Sequence, residues 1–320
     1  MPNHSASPNV AGEKPVIEAK GLRKEFGRTV AVEDLTLSVF RGEVFGFLGP
    51  NGAGKTTAVK MLVGLVFPTA GSARILGRPP SDPAARAHIG FLPEQFRFHE
   101  WLRADEFLDF HGQLGGVPAK LRRRRVQETL ELVGLASRAQ DRLRTFSKGM
   151  LQRIGIAQAL MNDPEIVFLD EPTSALDPLG RREVREVIRT LRSQGKTVFL
   201  NSHLLSEVEM VCDRVAIIDK GKVVRAGEMS DLLSSQHEVE VKVGEVTPAL
   251  LKALRGRFQV LSVSDSVIRL SVGSEEAAPQ VAATVVQAGG QLYRLTPLRT
   301  SLEDLFVQVV EGGEGERRDL

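Results

Sequence analysis

One cysteine, one tryptophan and one tyrosine are spread over 320 residues. The lone Cys212 excludes an internal disulfide and fits a reducing compartment. It reads as a small core side chain, the usual place of a free cysteine. No run approaches the roughly 18 apolar residues of a membrane span, so the chain is expected not to cross a bilayer itself. Residues 1–14 are rich in Pro, Ser and Asn, lack the apolar stretch of a signal peptide, and read as a disordered tail. Neither sign of charge dominates: 42 Lys and Arg face 40 Asp and Glu, a net charge of +2. A strong basic field would be needed to steer nucleic acid, and this small excess by itself predicts nothing about such a partner; none is expected. The Asn-Lys-x-Asp motif of guanine-specific proteins is also missing, which argues against a GTPase.

Glycine is present where it matters. Gly49-Pro50-Asn51-Gly52-Ala53-Gly54-Lys55-Thr56-Thr57 has the spacing of a phosphate-binding loop. The glycines let backbone N–H groups approach a phosphate at a helix N-terminus. Lys55 would reach the β- and γ-phosphates, and the Thr56 hydroxyl would face Mg²⁺. Val44–Leu48 before the loop reads as a buried strand, and Thr57–Val66 after it as a helix, which is the context the motif requires. Upstream, Val16–Lys20 and Thr29–Phe40 alternate at period two and predict antiparallel strands. Between them, Phe26 beside Gly27 is either a ring for a base to stack on or an ordinary core phenylalanine.

Ile166–Leu169 is wholly apolar and ends in Asp170-Glu171, as expected of a parallel strand buried on both faces and carrying ligands at its C-terminal end. Asp170 would hold Mg²⁺, and Glu171 would accept a proton from attacking water. Thr197–Leu200 repeats the design and leads to His203, placed to donate to a γ-phosphate. Ile89–Leu92 is another short strand leading to Gln95, which either reaches Mg²⁺ and water or is a solvated amide. Ser147 predicts the N-cap of a helix running through Ala159; with Gly149 it makes a second anion site, or only a cap. The aromatic stretch Phe96–Leu102 covers core or docks a partner. Helices are expected at Ala104–Leu114 and Pro118–Val133. The Arg122–Arg125 run in the second is a solvated face or a lipid-headgroup contact.

These pieces, in this order, resemble the nucleotide-binding domain of ABC transporters over roughly Pro15 to Leu233. Six motifs carry the resemblance: the phosphate loop, Gln95, the signature at Ser147, the acids Asp170 and Glu171, Ser174-Ala175-Leu176-Asp177, and His203. It implies a phosphate-loop NTPase fold of ABC type, with a mixed sheet core, an antiparallel β subdomain and a helical subdomain. It implies ATP and Mg²⁺ as cofactors and a head-to-tail homodimer. Ser147 and Gly149 would then act in trans on the partner's nucleotide, with Asp177 beside it. Glu171 would be the general base, and His203 and Gln95 would serve the γ-phosphate and the metal. Phe26 would stack on adenine. The usual Leu-Ser-Gly-Gly-Gln signature is departed from at Phe146, Lys148 and Met150, while Ser147 and Gly149 remain.

The Phe-Ser-Lys-Gly-Met form and a C-terminal extension are similar to ATPases of ABC-2-type exporters. That similarity implies separate integral-membrane permease subunits, a place on the cytoplasmic face of the cell membrane, and docking through Phe96–Leu102. A soluble ABC ATPase acting on ribosomes or DNA is the alternative. It usually carries two ATPase domains or a coiled-coil insertion, and neither occurs here. The cargo is not encoded in this chain. Residues 237–310 read as strand, helix, strand, strand, helix, strand and a last helix at Ser301–Val310, a small α+β ferredoxin-like domain. Residues 311–320 read as a disordered tail.

Overall fold

A computed structural model describes residues 14–174, 176–233, 238–274, 277–298 and 301–315. The first 13 residues, most of the expected N-terminal tail, lie outside them, as do Ala175, His237, Glu275 and residues 316–320. The chain divides into two units, residues 1–228 and 229–320.

The first unit runs β1 (Ile17–Phe26), β2 (Thr29–Val39), β3 (Val44–Leu48), α1 (Lys55–Leu62), β4 (Ala70–Ile75), α2 (Pro83–Arg86), β5 (Ile89–Leu92), α3 (Ala104–Leu114), α4 (Ala119–Leu132), α5 (Lys148–Ala159), β6 (Ile166–Asp170), α6 (Pro178–Ser193), β7 (Thr197–Asn201), α7 (Leu205–Val211), β8 (Arg214–Asp219) and β9 (Lys222–Glu228). Its strands form one nine-stranded sheet in the order β4-β1-β2-β9-β8-β3-β7-β6-β5. From β8 to β5 neighbouring strands are parallel, while β4-β1-β2 is antiparallel. The expected mixed core and antiparallel subdomain are therefore both present. Helices α3, α4 and α5 pack on one another as the helical subdomain.

Every residue of β3, β6 and β7 is buried, which is why these strands read as apolar runs without alternation. Their register is held by rings. Phe199 faces Phe45 on one side and Phe168 on the other, with ring centroids 5.6 and 5.1 Å apart. Such tilted pairs add about 0.5–1.5 kcal/mol each beyond their burial. Because the strands are parallel and in register, their polar C-terminal residues emerge at one edge. Asp170 and Asn201 are direct register partners there.

Several boundaries differ from expectation. β1 continues to Phe26 through Gly21, whose φ of +57° marks a bulge where the pairing with β2 shifts register. Helix α1 starts at Lys55 and ends at Leu62, four residues before the expected Val66. Gly64 closes it: its φ is +75°, and a Cβ there would stand 2.3 Å from the Pro80 carbonyl oxygen. The Arg122–Arg125 run is drawn into ion pairs, Arg122 with Asp109, Arg124 with Glu128, and Arg125 with Glu128 and Asp163. Cys212 is buried, as expected.

The second unit contains α8 (Met229–Leu233), β10 (Glu238–Val243), α9 (Pro248–Arg255), β11 (Gln259–Ser264), β12 (Val267–Ser271), α10 (Ala278–Gln287), β13 (Leu292–Leu298) and α11 (Leu302–Gly315). Its antiparallel sheet has the order β11-β12-β10-β13. The outer halves of the βαββαβ unit thus flank a central first and third strand, the arrangement of a ferredoxin-like sandwich. Val239, Val241 and Val243 alternate inward and pack with Leu250, Leu254, Val281 and Val285 of the two helices. Helix α11 runs five residues beyond the expected Val310.

Candidate functional site

The edge where β3, β6 and β7 end opens into a cleft of about 450 Å³. It is lined by Thr29, Val30, Ala31, Asn51, Gly52, Gly54, Lys55, Thr56, Thr57, Glu94, Glu171, Asn201 and His203. Most of the phosphate-loop residues expected from sequence meet Glu171 and His203 there. Pro50 and Ala53 complete the loop, with the Ala53 amide donating to the Pro50 carbonyl at 3.2 Å.

Two glycines explain why the loop cannot use other residues. Gly54 has φ +99°, and a Cβ on it would meet the Ala31 carbonyl oxygen at 2.2 Å. Gly49 would collide with the Ile218 carbonyl oxygen at 2.3 Å. The loop is thus pressed onto β2 and β8 and leads into the N-terminus of α1, where backbone amides lack intrahelical partners. The Lys55 ammonium donates to the carbonyls of Gly49 and Pro50, at 2.6 and 3.1 Å. Burial pulls its pKa below the usual lysine range, and the carboxylates of Glu171, Asp170 and Glu94 oppose that pull.

Opposite the loop stand the acids. Asp170 is buried; its carboxylate accepts from Asn201 Nδ2 at 2.5 Å. Burial raises its pKa despite that bond. Glu171 sits just past the strand with φ +54°, a left-handed conformation that costs a residue with a Cβ about 1–3 kcal/mol. Its amide is held by the Asn201 carbonyl at 2.8 Å. Its carboxylate lies 2.7 Å from His203 Nδ1. Burial raises the Glu171 pKa, while His203 and Lys55 oppose the rise. A buried carboxyl with raised proton affinity, aimed at a phosphate loop, has the properties of a general base.

The remaining candidates are placed differently. Gln95 is exposed and does not line the cleft; Glu94 does. Phe26 is 53% exposed, which rules out the core reading. It ends β1 opposite Thr29, a cleft residue, and Lys24 Nζ lies 4.9 Å from its ring centroid. Ser147 caps α5 as expected, its Oγ accepting from the Met150 amide at 3.3 Å. Asp177 caps α6 in the same way, accepting from Gly180 at 2.8 Å. Ser147, Gly149 and Asp177 are not part of the cleft that contains Lys55 within this chain.

Asn201 escaped the sequence reading. Its position at a strand end two residues before His203 was the available signal. Its Oδ1 is buried without a hydrogen-bond partner, an acceptor lining the cleft. No cluster of three or more His, Cys, Asp or Glu poised to cage a metal occurs among the described residues. The oxygens of Thr56, Asp170 and Asn201 nonetheless suit a hard cation that takes its other ligands from phosphates and water.

The aromatic stretch divides its work. Phe96 and Phe98 pack on the fully buried Phe107, at 6.2 and 5.9 Å between centroids, while Trp101 is 67% exposed. The core reading therefore holds for Phe96 and Phe98, while Trp101 is left on the surface.

The model of the ABC transporter family matches residues 32–174. An uncharacterized ABC transporter ATP-binding protein of Nostoc sp. is 41% identical over 286 residues, covering 89% of this chain and 84% of that protein. The chain belongs to the ABC transporter ATP-binding family. Another member, the Nod factor export ATP-binding protein I of Ralstonia nicotianae, is 33% identical over 93% of this chain and 94% of its own length. Among solved structures, the dimeric post-hydrolysis state of the ATP-binding cassette MJ0796 bound to ADP and Pi superposes with TM-score 0.60 at 27% identity. It covers 67% of this chain and 98% of that one. This ABC protein is thus a nucleotide-binding phosphate-loop ATPase. No helix among its described residues is long and apolar enough to cross a membrane.

Phe26 gives a first test. Its ring is exposed, so Phe26→Ala should change stability by less than about 0.5 kcal/mol. If the ring stacks on adenine, ATP affinity should fall by about 1–3 kcal/mol, the scale of base stacking. Fluorescent-nucleotide titration measures it, and unchanged affinity would return Phe26 to a surface role.

Proposed function

We propose that this ABC protein is the ATP-hydrolysing subunit of an exporter, working as a head-to-tail homodimer beneath separate permease subunits on the cytoplasmic face of the membrane. The observation that carries the hydrolytic part is Glu171: a buried, strained, His203-bonded carboxylate facing the phosphate loop.

In this reading the amides of Gly49 to Thr57 and the Lys55 ammonium take the β- and γ-phosphates of ATP. Phe26 stacks on the adenine. Thr56 and Asp170 hold Mg²⁺, which when bound neutralises charge on the β- and γ-phosphates. Glu171 accepts the proton of the attacking water, and His203 orients Glu171 and braces the γ-phosphate. Ser147 and Gly149, at the N-terminus of a twelve-residue helix, present amides and a hydroxyl to the nucleotide held by the other copy, with Asp177 alongside. Their absence from the cleft of their own chain supports a role in trans. Export is supported by relatives named for it, such as the Nod factor export protein.

Recruitment to a permease is the test of the transport reading. Trp101 is exposed beside a ring cluster that fixes its loop, the composition of a binding anchor. The tagged chain should co-purify from its own host with polytopic membrane proteins. Trp101→Ala should reduce that recovery about tenfold, the scale of a single aromatic anchor. Recovery with ribosomes or DNA, and none with membranes, would favour the soluble alternative.

A further inference from the structure

We propose that His99 and His111 form an acid-sensitive latch, which holds the aromatic loop Phe96–Leu102 closed at neutral pH and lets it open when the pair takes up a proton. The latch itself is independent of the permease reading. Its consequence, weaker docking in acid, rests on that reading.

The two imidazoles sit inside the ring cluster. His111 lies on α3, its ring centroid 4.5 Å from that of the fully buried Phe107 and 6.1 Å from that of Phe96. His99 lies in the loop, 5.4 Å from Trp101, 5.5 Å from Phe110 and 6.3 Å from His111 by the same measure. Each ring has one nitrogen that is buried without a hydrogen-bond partner, Nδ1 of His99 and Nε2 of His111. A neutral imidazole can keep its unprotonated nitrogen in such a place. A charged one cannot, because both of its nitrogens then carry N–H donors. A buried charged donor without an acceptor is the costlier state.

The surroundings do not supply that acceptor. On and beside α3, Asp105 is engaged by Arg103 and Gln140, Glu106 by Arg103, Asp109 by Arg122, and Asp141 by Arg138. In the loop, Arg97 and Glu100 are exposed. On α4, Glu128 pairs with Arg124 and Arg125, and Glu131 accepts from Gln127. What α4 lays against α3 is a cation: a Cβ on Gly112 would stand 3.3 Å from Arg122 Cδ. Helix α5 has no acid; its charges are Lys148 and Arg153, the latter held by the Val133 carbonyl and Glu183. Residues 142–145 add Arg142 and Arg144. Around the pair stand cations, engaged acids and one solvent-facing glutamate.

Burial and the neighbouring His99 hold the His111 pKa below its ordinary value of 6.5. The opened loop therefore binds a proton more readily than the closed one. The stability of the closed form is fully present above pH 6.5 and is lost as pH falls from there through the lowered pKa. Three backbone bonds tie the loop and would break on opening: the Leu102 amide to the His99 carbonyl, Leu143 to Leu102, and Arg144 to Glu100.

The test uses the full chain. Trp101 is its sole tryptophan, so indole emission reports on the loop directly. The chain is titrated from about pH 8 to 5, the range in which histidine charges. Trp101 emission should change across it. Hydrogen exchange at Leu102, Leu143 and Arg144, corrected for its intrinsic pH dependence, should show the opening constant rising about tenfold, the effect of one proton over one pH unit. Replacing both histidines, as His99→Gln with either His111→Phe or His111→Gln, should flatten both signals. A wild type in which either signal is flat, or a pH dependence that persists in a folded double variant, overturns the latch. Recovery of membrane proteins with the wild-type chain should fall at least about twofold at the acid end, as the closed loop becomes a minority, and should not change with pH for the double variants. If the latch signals appear and recovery is constant, the docking consequence is wrong and the latch stands. If no membrane protein is recovered at any pH, the permease reading fails, and exchange still decides the latch.

Discussion

Glu171→Gln should reduce the steady-state ATPase rate at least about 100-fold, the usual contribution of a positioned general base. ATP binding should survive, because the phosphate loop and Lys55 are untouched. The variant should therefore accumulate as an ATP-bound dimer, visible as a shift in sedimentation on adding ATP. Gln is isosteric and keeps the hydrogen bond to His203, so the left-handed turn at residue 171 is preserved. Phosphate release at a rate near that of the wild type would remove Glu171 from the role of base.

The same substitution carries a stability signature. Burial raises the Glu171 pKa in the folded chain above its unfolded value. Ionising it therefore costs stability, and the cost grows as pH rises from the unfolded pKa through the folded one. Gln cannot ionise. The variant should melt higher than the wild type at pH above the raised pKa, and the gap should close as pH falls through it to the unfolded value. Activity of the wild type should fall over that same window, because the base is then protonated. A thermal-melt series against pH reads the first effect independently of turnover.

Much of this site was legible because its chemistry is written in short, contiguous runs. A phosphate loop is a local pattern, and Ile166–Asp170 declares both its burial and its ligand end within five residues. The ferredoxin-like order of the second unit was legible for a related reason: alternation in β10 and β12 differs plainly from the helical stripes of α9 and α10. What was not legible depends on pairing across the chain. Gln95 and Glu94 are equally polar neighbours, and only the register of β5 on β6, broken at Pro93, decides which faces the cleft. Phe26 could not be told from a core ring until β1 was seen to extend through the Gly21 bulge and carry it to an exposed turn. Asn201 gains its meaning only as the register partner of Asp170. The arginines of α4 meet acids as distant as Asp163, a compensation that no window of sequence displays.

Two inactive variants should restore each other when mixed. Lys55→Ala removes the ammonium from the phosphate loop, and Ser147→Arg replaces the cap of α5 with a bulky side chain. Each alone should lose nearly all ATPase activity, because every site in either homodimer is defective. In a head-to-tail dimer, one site combines Lys55 of one copy with Ser147 of the other. A mixed dimer therefore holds one site with both defects and one site with none. Equal mixing makes about half the dimers mixed, and if the sites act independently, about a quarter of wild-type activity should return. Loss of activity through misfolding could not be rescued in this way, so recovery separates a shared site from a damaged chain. If the mixture stays inactive while both variants still form dimers, Ser147 does not complete the partner's site. If Ser147→Arg alone keeps full activity, the serine is only the cap that its bond to Met150 shows it to be.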